Sequence, residues 1–225
     1  MGTFEENLKN KLTTIGFKNH NLVIDAACGT GEWSGVLSTI NKKVIGYDSS
    51  IGAIKTAQKN FSQINNINFA IASLTYSPIR YQKADAIICA DSLMFVNPIT
   101  TLNSFYNELN ENGIVYLSVN GPGWILNCIF NRGIKNQDVS KINMGVKIIF
   151  DTLIRRFINP NYKVTNTVYT LSDLTKLASK IGFKILYAGY EGTYLNPEFK
   201  FYQPLFKKSF WGITQSIEII LKKIK

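Results

Sequence analysis

Four polar residues stand where short apolar runs give out: Asp25 in Val-Ile-Asp-Ala, Asp48 after Val-Ile-Gly-Tyr, Ser73 after Phe-Ala-Ile-Ala and Asp91 after Ile-Ile-Cys-Ala. The first is followed at once by Ala27-Cys28-Gly29-Thr30-Gly31, two glycines spaced by one residue, and then by a helical pattern from Glu32. A buried strand, a tight glycine turn and a helix N-terminus in that order let the backbone approach a nucleotide-like ligand closely. The chemistry to be expected is therefore that of a bound small molecule held at strand ends.

The elements that must position these residues can be read in order. Phe4, Leu8, Leu12, Ile15 and Phe17 recur near a 3.6-residue period and predict an amphipathic helix over residues 4–18. Strands are expected at Leu22 to Asp25, Lys43 to Tyr47, Asn68 to Ala72, Ala84 to Cys89 and Ile114 to Val119. Helices are expected at Glu32 to Thr39, Ile51 to Phe61 (capped by Ser49 or Ser50) and Thr100 to Leu109. This alternation predicts an α/β fold: a doubly wound, mostly parallel, seven-stranded Rossmann-like sheet with helices on both faces. Right-handed crossovers put the C-terminal ends of parallel strands on one edge, so Asp25, Asp48, Ser73 and Asp91 converge there.

The rhythm breaks at Gly121-Pro122-Gly123. The apolar positions 146, 149, 150, 153, 154 and 157 are helically spaced, which predicts one or two helices over the sheet edge as a lid. A helix from Leu171 to Lys180 and a strand from Phe183 to Gly189 follow. The tail reads either as a last strand at Ile217 to Leu221, beside the previous one, or as a lysine-flanked amphipathic helix suited to a membrane surface. The expected organisation is one domain over 1–225: a ligand-binding core at 1–120, a helical insertion at 121–168, and the remaining sheet half with the tail at 169–225.

Two ligand classes compete for the turn. A dinucleotide site wants G-x-G-x-x-G, but Ser34 stands where the third glycine belongs and Gly35 comes one residue late. Asp25 would also repel a pyrophosphate. An acid at that place suits a cationic ligand such as S-adenosylmethionine, with its sulfonium and α-ammonium groups. The run Val23-Ile24-Asp25-Ala26-Ala27-Cys28-Gly29-Thr30-Gly31-Glu32-Trp33-Ser34 resembles the first motif of class I S-adenosylmethionine-dependent methyltransferases of the small-molecule type. The resemblance extends through Asp48, Ser73-Leu74 with Pro78, Cys89 to Val96 and Glu111-Asn112-Gly113-Ile114.

The resemblance implies roles residue by residue. Asp25 would help hold the methionine amino end, and the turn with Ala27, Gly29 and Gly31, with Trp33 just beyond it, would wrap the methionine part. Asp48 would take both ribose hydroxyls, a good match of two donors to one carboxylate, with Ser49 near the adenosine. Ser73 and Leu74 would face the adenine, Ser73 standing where the family usually has an acid. Ala90 and Asp91 would complete the site from the fourth strand. Where many small-molecule members carry histidine, this chain has Phe95.

Methyl transfer to an oxygen, nitrogen or carbon nucleophile would follow, leaving S-adenosylhomocysteine, with positioning and exclusion of water as the main means of acceleration. A hydroxyl acceptor wants a base; Asp91 is the candidate, because His20 precedes the first strand at the opposite edge. Tyr162, Tyr169, Tyr190 and Tyr194 could line an acceptor pocket. The Asn/Asp-Pro-Pro-Tyr/Phe tetrad common in methyltransferases of nucleic-acid bases or glutamine is missing after the fourth strand, which argues against nucleic acid. The acceptor expected first is a sugar or nucleotide-linked sugar of surface-glycan synthesis, methylated on oxygen. A lipid or quinone-type precursor, or a cofactor-binding domain without turnover, are the alternatives.

Composition sets the remaining bounds. With 45% hydrophobic and 18% charged residues, the chain can bury a full core. Three cysteines without a CxxC pair and a single histidine argue against a metal site. The formal net charge of +10 favours an anionic acceptor or, through the basic C-terminal tail, a peripheral contact with an anionic membrane. The mixed-charge start of the chain lacks the apolar core of a signal peptide, so the cytoplasm is the expected compartment.

Overall fold

The computed structural model describes residues 3–79, 82–159, 166–190 and 209–224. Helix α1 (Phe4–Thr14) opens with a reciprocal cap in which Thr3 accepts from the Glu6 backbone and the Glu6 side chain accepts from that of Thr3. There follow β1 (Val23–Ala26), α2 (Glu32–Ser38), β2 (Val44–Asp48), α3 (Ile51–Asn60), β3 (Ile67–Ile71), β4 (Ala84–Ala90), α4 (Pro98–Glu108) and β5 (Leu109–Asn120). These five strands form a parallel array in the order β3-β2-β1-β4-β5. Every residue of β1 is buried, as a strand covered on both faces requires.

Beyond β5 come α5 (Gly123–Leu126), which runs on as π-helical turns through Asn127–Ile134, and α6 (Val139–Leu153), which continues the same way through Ile154–Ile158. Helix α7 (Leu171–Ile181) starts at a Thr170–Asp173 capping box and stops at Gly182, whose φ of 109° is the left-handed conformation glycine adopts freely. Then come β6 (Phe183–Tyr190), the two-stranded β7 (Ser209–Phe210) and β8 (Ile213–Thr214), and β9 (Ser216–Lys223). Strand β9 runs antiparallel between β5 and β6 and completes a sheet ordered β3-β2-β1-β4-β5-β9-β6. The seven-stranded, doubly wound α/β sheet is the expected one.

Two cores lie on the two sheet faces. On one, α1 and α2 cover Val23, Val44, Ile88, Tyr116 and Ile220; on the other, α4 and α7 cover Ile24, Ile87, Leu117, Val119 and Ile219. Three details of the sequence reading are decided by the structure. The tail is a strand, since the alternation of Ile217, Ile219 and Leu221 with Glu218 and Ile220 feeds both faces, and the helical alternative falls away. Strand β5 starts at Leu109 and not at Ile114, because Leu109 pairs with Ala84 before a bulge passes through left-handed Asn112. The helically spaced apolar stripe of α6 points outward, while Gly145, Ile148 and Asp151 face in. No helix among the described residues is long and apolar enough to cross a membrane.

Candidate functional site

The turn after β1 holds three left-handed residues at alternate positions: Ala27 (φ 62°), Gly29 (φ 55°) and Gly31 (φ 92°). Such alternation brings successive backbone N–H groups toward a common concavity. The glycines answer different needs. At Gly29 an added Cβ would meet nothing within 4 Å, so only the backbone conformation calls for glycine, and the space beside it is open. At Gly31 a Cβ would lie 2.9 Å from Phe69 Cζ and 3.0 Å from Phe61 Cε2, so packing excludes a side chain as well.

Beneath the turn, Asp25 is buried and its Oδ2 accepts the Ser34 hydroxyl at 2.6 Å. Burial pushes its pKa up to about 6; the Ser34 hydroxyl and backbone N–H oppose the rise, and the charges of Asp48 and Glu32 add to it. Ser34 thus fills with a hydrogen-bond donor the place where a dinucleotide motif keeps its third glycine.

Asp48, at the end of β2, is the second anchor. Its Oδ2 accepts Gly29 N at 3.1 Å and its Oδ1 accepts Ser50 N at 2.8 Å, so one carboxylate ties the glycine turn to the start of α3. It opens on a cavity of about 250 Å³ lined by Ala27, Asp48, Ser49, Ser73, Leu74 and Phe95, with Ala72, Ser92 and Val96. This lies just below the ~300 Å³ at which small-molecule pockets begin, the scale for one end of an extended ligand. Ser73 Oγ lies 2.9 Å from Thr75 Oγ1 and accepts Thr75 N, which pins the loop that walls the cavity.

Asp91, one residue beyond β4, adopts φ 48°, a conformation disfavoured for any residue with a Cβ. Ser118 of β5 holds it there: the Asp91 N–H reaches both the carbonyl and the hydroxyl of Ser118 at 3.0 Å, and that hydroxyl lies 3.0 Å from Asp91 Oδ1. Asp91 borders a second cavity of about 290 Å³ with Met94, Asn120, Trp124, Asn127, Gln215 and Ser216. Trp124 Nε1 and Ser216 Oγ are buried here without a hydrogen-bond partner among the described residues. Ala90 pairs with Ser118 at the strand end between the two cavities.

Of the residues read from sequence, Ala27, Asp48, Ser49, Ser73 and Leu74 therefore share one cavity, with Asp25, Gly29 and Gly31 around the turn beside it. Asp91 borders the neighbouring cavity. Trp33 is not brought to either. Its ring stacks on Tyr116 at 5.9 Å with Lys11 Nζ 5.6 Å from its centroid, so the indole belongs to the core under α1. His20 donates its Nε2–H to Gly16 O at 2.9 Å, before β1. Burial and the nearby Asp25 push the Cys28 and Cys89 thiols far up, which removes both as nucleophiles. Tyr169 lines a separate cleft with Arg155, Tyr190 is half exposed, and Tyr162 and Tyr194 lie outside the described residues.

Sequence reasoning missed Ser118, Trp124, Gln215 and Ser216. Ser118 is 27 residues from its partner, and the last two enter only because β9 inserts beside β5. No local spacing signals either event.

The methyltransferase-domain family matches residues 23–113, from β1 to the bulge of β5. This stretch is similar to a methyltransferase domain. Among curated proteins, the carboxy-S-adenosyl-L-methionine synthase of Helicobacter pylori (strain HPAG1) is 28% identical over 116 residues, which are 49% of this chain and 46% of that protein. The chain thus spans about half the length of the curated relatives it matches. Among solved structures, a S-adenosylmethionine-dependent methyltransferase from Clostridium acetobutylicum aligns with a TM-score of 0.63 at 15% identity, covering 99% of this chain and 91% of the other. The N-methyltransferase NodS from Bradyrhizobium japonicum, solved with S-adenosyl-L-homocysteine, aligns with a TM-score of 0.61 at 10% identity over 98% and 87%. At such identity these likenesses are of fold alone, and they extend over the whole sheet.

Proposed function

We propose that this chain is a S-adenosylmethionine-dependent methyltransferase for a small-molecule acceptor, and that the accepting group is a hydroxyl of a sugar or nucleotide-linked sugar. The observation that carries the cofactor reading is the join between Asp48 and the glycine turn: one carboxylate, facing a nucleoside-sized cavity, is bonded to the backbone of Gly29. When bound, the cofactor supplies a methyl group already activated on a sulfonium.

The residues then divide the work. The N–H groups of the turn and the carboxylate of Asp25 beneath it suit the methionine end, with its carboxylate and ammonium. Asp48 suits a vicinal diol. Leu74 and Phe95 offer apolar walls to a purine, and Ser73 offers a hydroxyl to its amine. Asp91, clamped by Ser118, is the one carboxylate among the described residues that lines the second of the two cavities and the candidate base for a hydroxyl acceptor.

The acceptor reading rests on that second cavity. An indole N–H and a hydroxyl without partners among the described residues, together with the amides of Asn120, Asn127 and Gln215, match a ligand rich in oxygen acceptors and donors. Calorimetry and thermal shift with S-adenosylmethionine, S-adenosylhomocysteine and NAD test the first claim: the two adenosyl compounds should bind and raise the melting temperature, and NAD should do neither. Methyl transfer screened over nucleotide sugars tests the second. Cofactor binding with turnover only on lipid or quinone precursors would overturn the acceptor reading and leave the cofactor reading standing.

A further inference from the structure

The outward face of α6 and its continuation is apolar along its whole length. Val146, Ile149, Phe150, Leu153, Phe157 and Ile158 all lie open, Phe150 at 61% and Phe157 at 74% of full exposure. Glycines fix this orientation. A Cβ at Gly145 would lie 2.5 Å from Ile129 Cγ1, and one at Gly133 would lie 2.5 Å from Ile142 Cγ1, so α6 is pressed against the helix before it through its small residues. Its bulky ones are left outside. The result is a convex ridge and not a groove.

Charge distinguishes what could cover it. Residues 123–159 hold Arg132, Lys135, Lys141, Lys147, Arg155 and Arg156 against two acids. Asp138 caps α6 through the backbone of Ser140 and Lys141, and the buried Asp151 lies 3.8 Å from Lys147. Arg155 is turned inward to Val96 O and Arg156 pairs with Asp173 of α7, which leaves Lys135, Lys141 and the exposed end of Lys147 as the outward cations. An apolar stripe bordered by more cations than carboxylates is the pattern of a helix lying in the surface of an anionic bilayer. A second copy of the chain would set these cationic borders against each other across a two-fold axis. The neighbouring turn of β7 and β8 adds an interfacial type of residue, because Trp211 is 68% exposed and packs 4.8 Å from Phe130 of the helix that α6 rests on.

We propose that the α6 face, with Trp211 beside it, docks the protein on anionic phospholipid membranes. This is independent of the cofactor and acceptor readings. The test is co-sedimentation of the full chain with vesicles of phosphatidylcholine alone and of phosphatidylcholine containing one-third phosphatidylglycerol. Binding is expected to the anionic vesicles and not to the neutral ones, weakening as salt rises. Phe150→Ser with Phe157→Ser should cut partitioning by about tenfold or more, and Lys141→Glu with Lys147→Glu should abolish the preference for anionic lipid. Trp211 fluorescence should be quenched by brominated acyl chains. S-adenosylhomocysteine binding, measured on the same variants, should not move. Failure of the wild-type chain to partition onto anionic vesicles, or unchanged partitioning of the Phe150/Phe157 variant, would overturn the proposal. So would a solution dimer that the same two substitutions dissociate, which would make the ridge a subunit interface.

Discussion

Lys11 Nζ lies 2.6 Å from Glu218 Oε1, with neither side chain in contact with solvent, so the first helix and the last strand are joined by a buried ion pair. Tyr116 donates its hydroxyl to the same oxygen at 2.7 Å, and the ammonium sits 5.1 Å from the tyrosine ring centroid. Removing one partner leaves an uncompensated charge in the core. Lys11→Met should therefore cost about 3–5 kcal/mol, whereas Lys11→Met with Glu218→Gln should recover most of that loss. Urea unfolding of the two singles and the double reads the cycle; additive losses would mean that the pair is not coupled.

Asp25 gives the free protein a pH dependence of definite sign. Its folded pKa of about 6 exceeds the ordinary 3.8, so the native state holds the proton more tightly than the unfolded chain. The stability it contributes is complete below the ordinary value and is lost as pH rises through about 6. Asp25→Asn should flatten this fall and leave the free protein more stable at neutral pH by about 3 kcal/mol, on the scale of 1.36 kcal/mol per pKa unit. The same change should weaken S-adenosylmethionine binding, because a cationic ligand favours the carboxylate form. Unfolding curves of both proteins between acid and neutral pH supply the check.

The two glycines of the turn should respond unequally to alanine. Gly29→Ala has room and bears only the cost of a left-handed side chain, ~1 kcal/mol. Gly31→Ala bears that cost and must also displace the rings of Phe61 and Phe69. Its loss of stability should exceed the first by 1 kcal/mol or more, about the cost of overpacking. Equal losses would show that the rings yield freely.

Asp48→Ala should weaken S-adenosylhomocysteine binding by about 1.5–3 kcal/mol, the scale of hydrogen bonds to a charged group. It should also loosen the turn, since Gly29 N and Ser50 N lose their acceptor. Titration calorimetry at a temperature where the variant stays folded separates the two effects. Unchanged affinity would count against the ribose assignment.

How much of this was legible beforehand depends on how local each cause is. Asp25, Asp48, Ser73 and Asp91 could be put on one edge because alternating apolar runs and crossover handedness are properties of neighbouring residues. The turn could be read because Gly29 and Gly31 are needed by the backbone itself. Trp33 was misplaced by the same locality: it follows the turn in sequence, but Lys11 and Tyr116 draw its ring beneath the sheet. The clamp of Ser118 on Asp91, the arrival of Gln215 and Ser216 at the second cavity, and the outward turn of α6 all depend on contacts between distant segments. In α6, the spacing of apolar residues gives the helix but not which way it faces; two glycines decide that.

Because β9 is the only strand that β6 pairs with among the described residues, the far side of the sheet has no edge to grow on until residues 216–223 have been made. A nascent chain can pair β1 to β5 as they emerge, yet α7 and β6 must wait, and the ion pair from Lys11 waits with them. Closure of this sheet thus depends on residues 216–223, which act as the keystone between halves already standing.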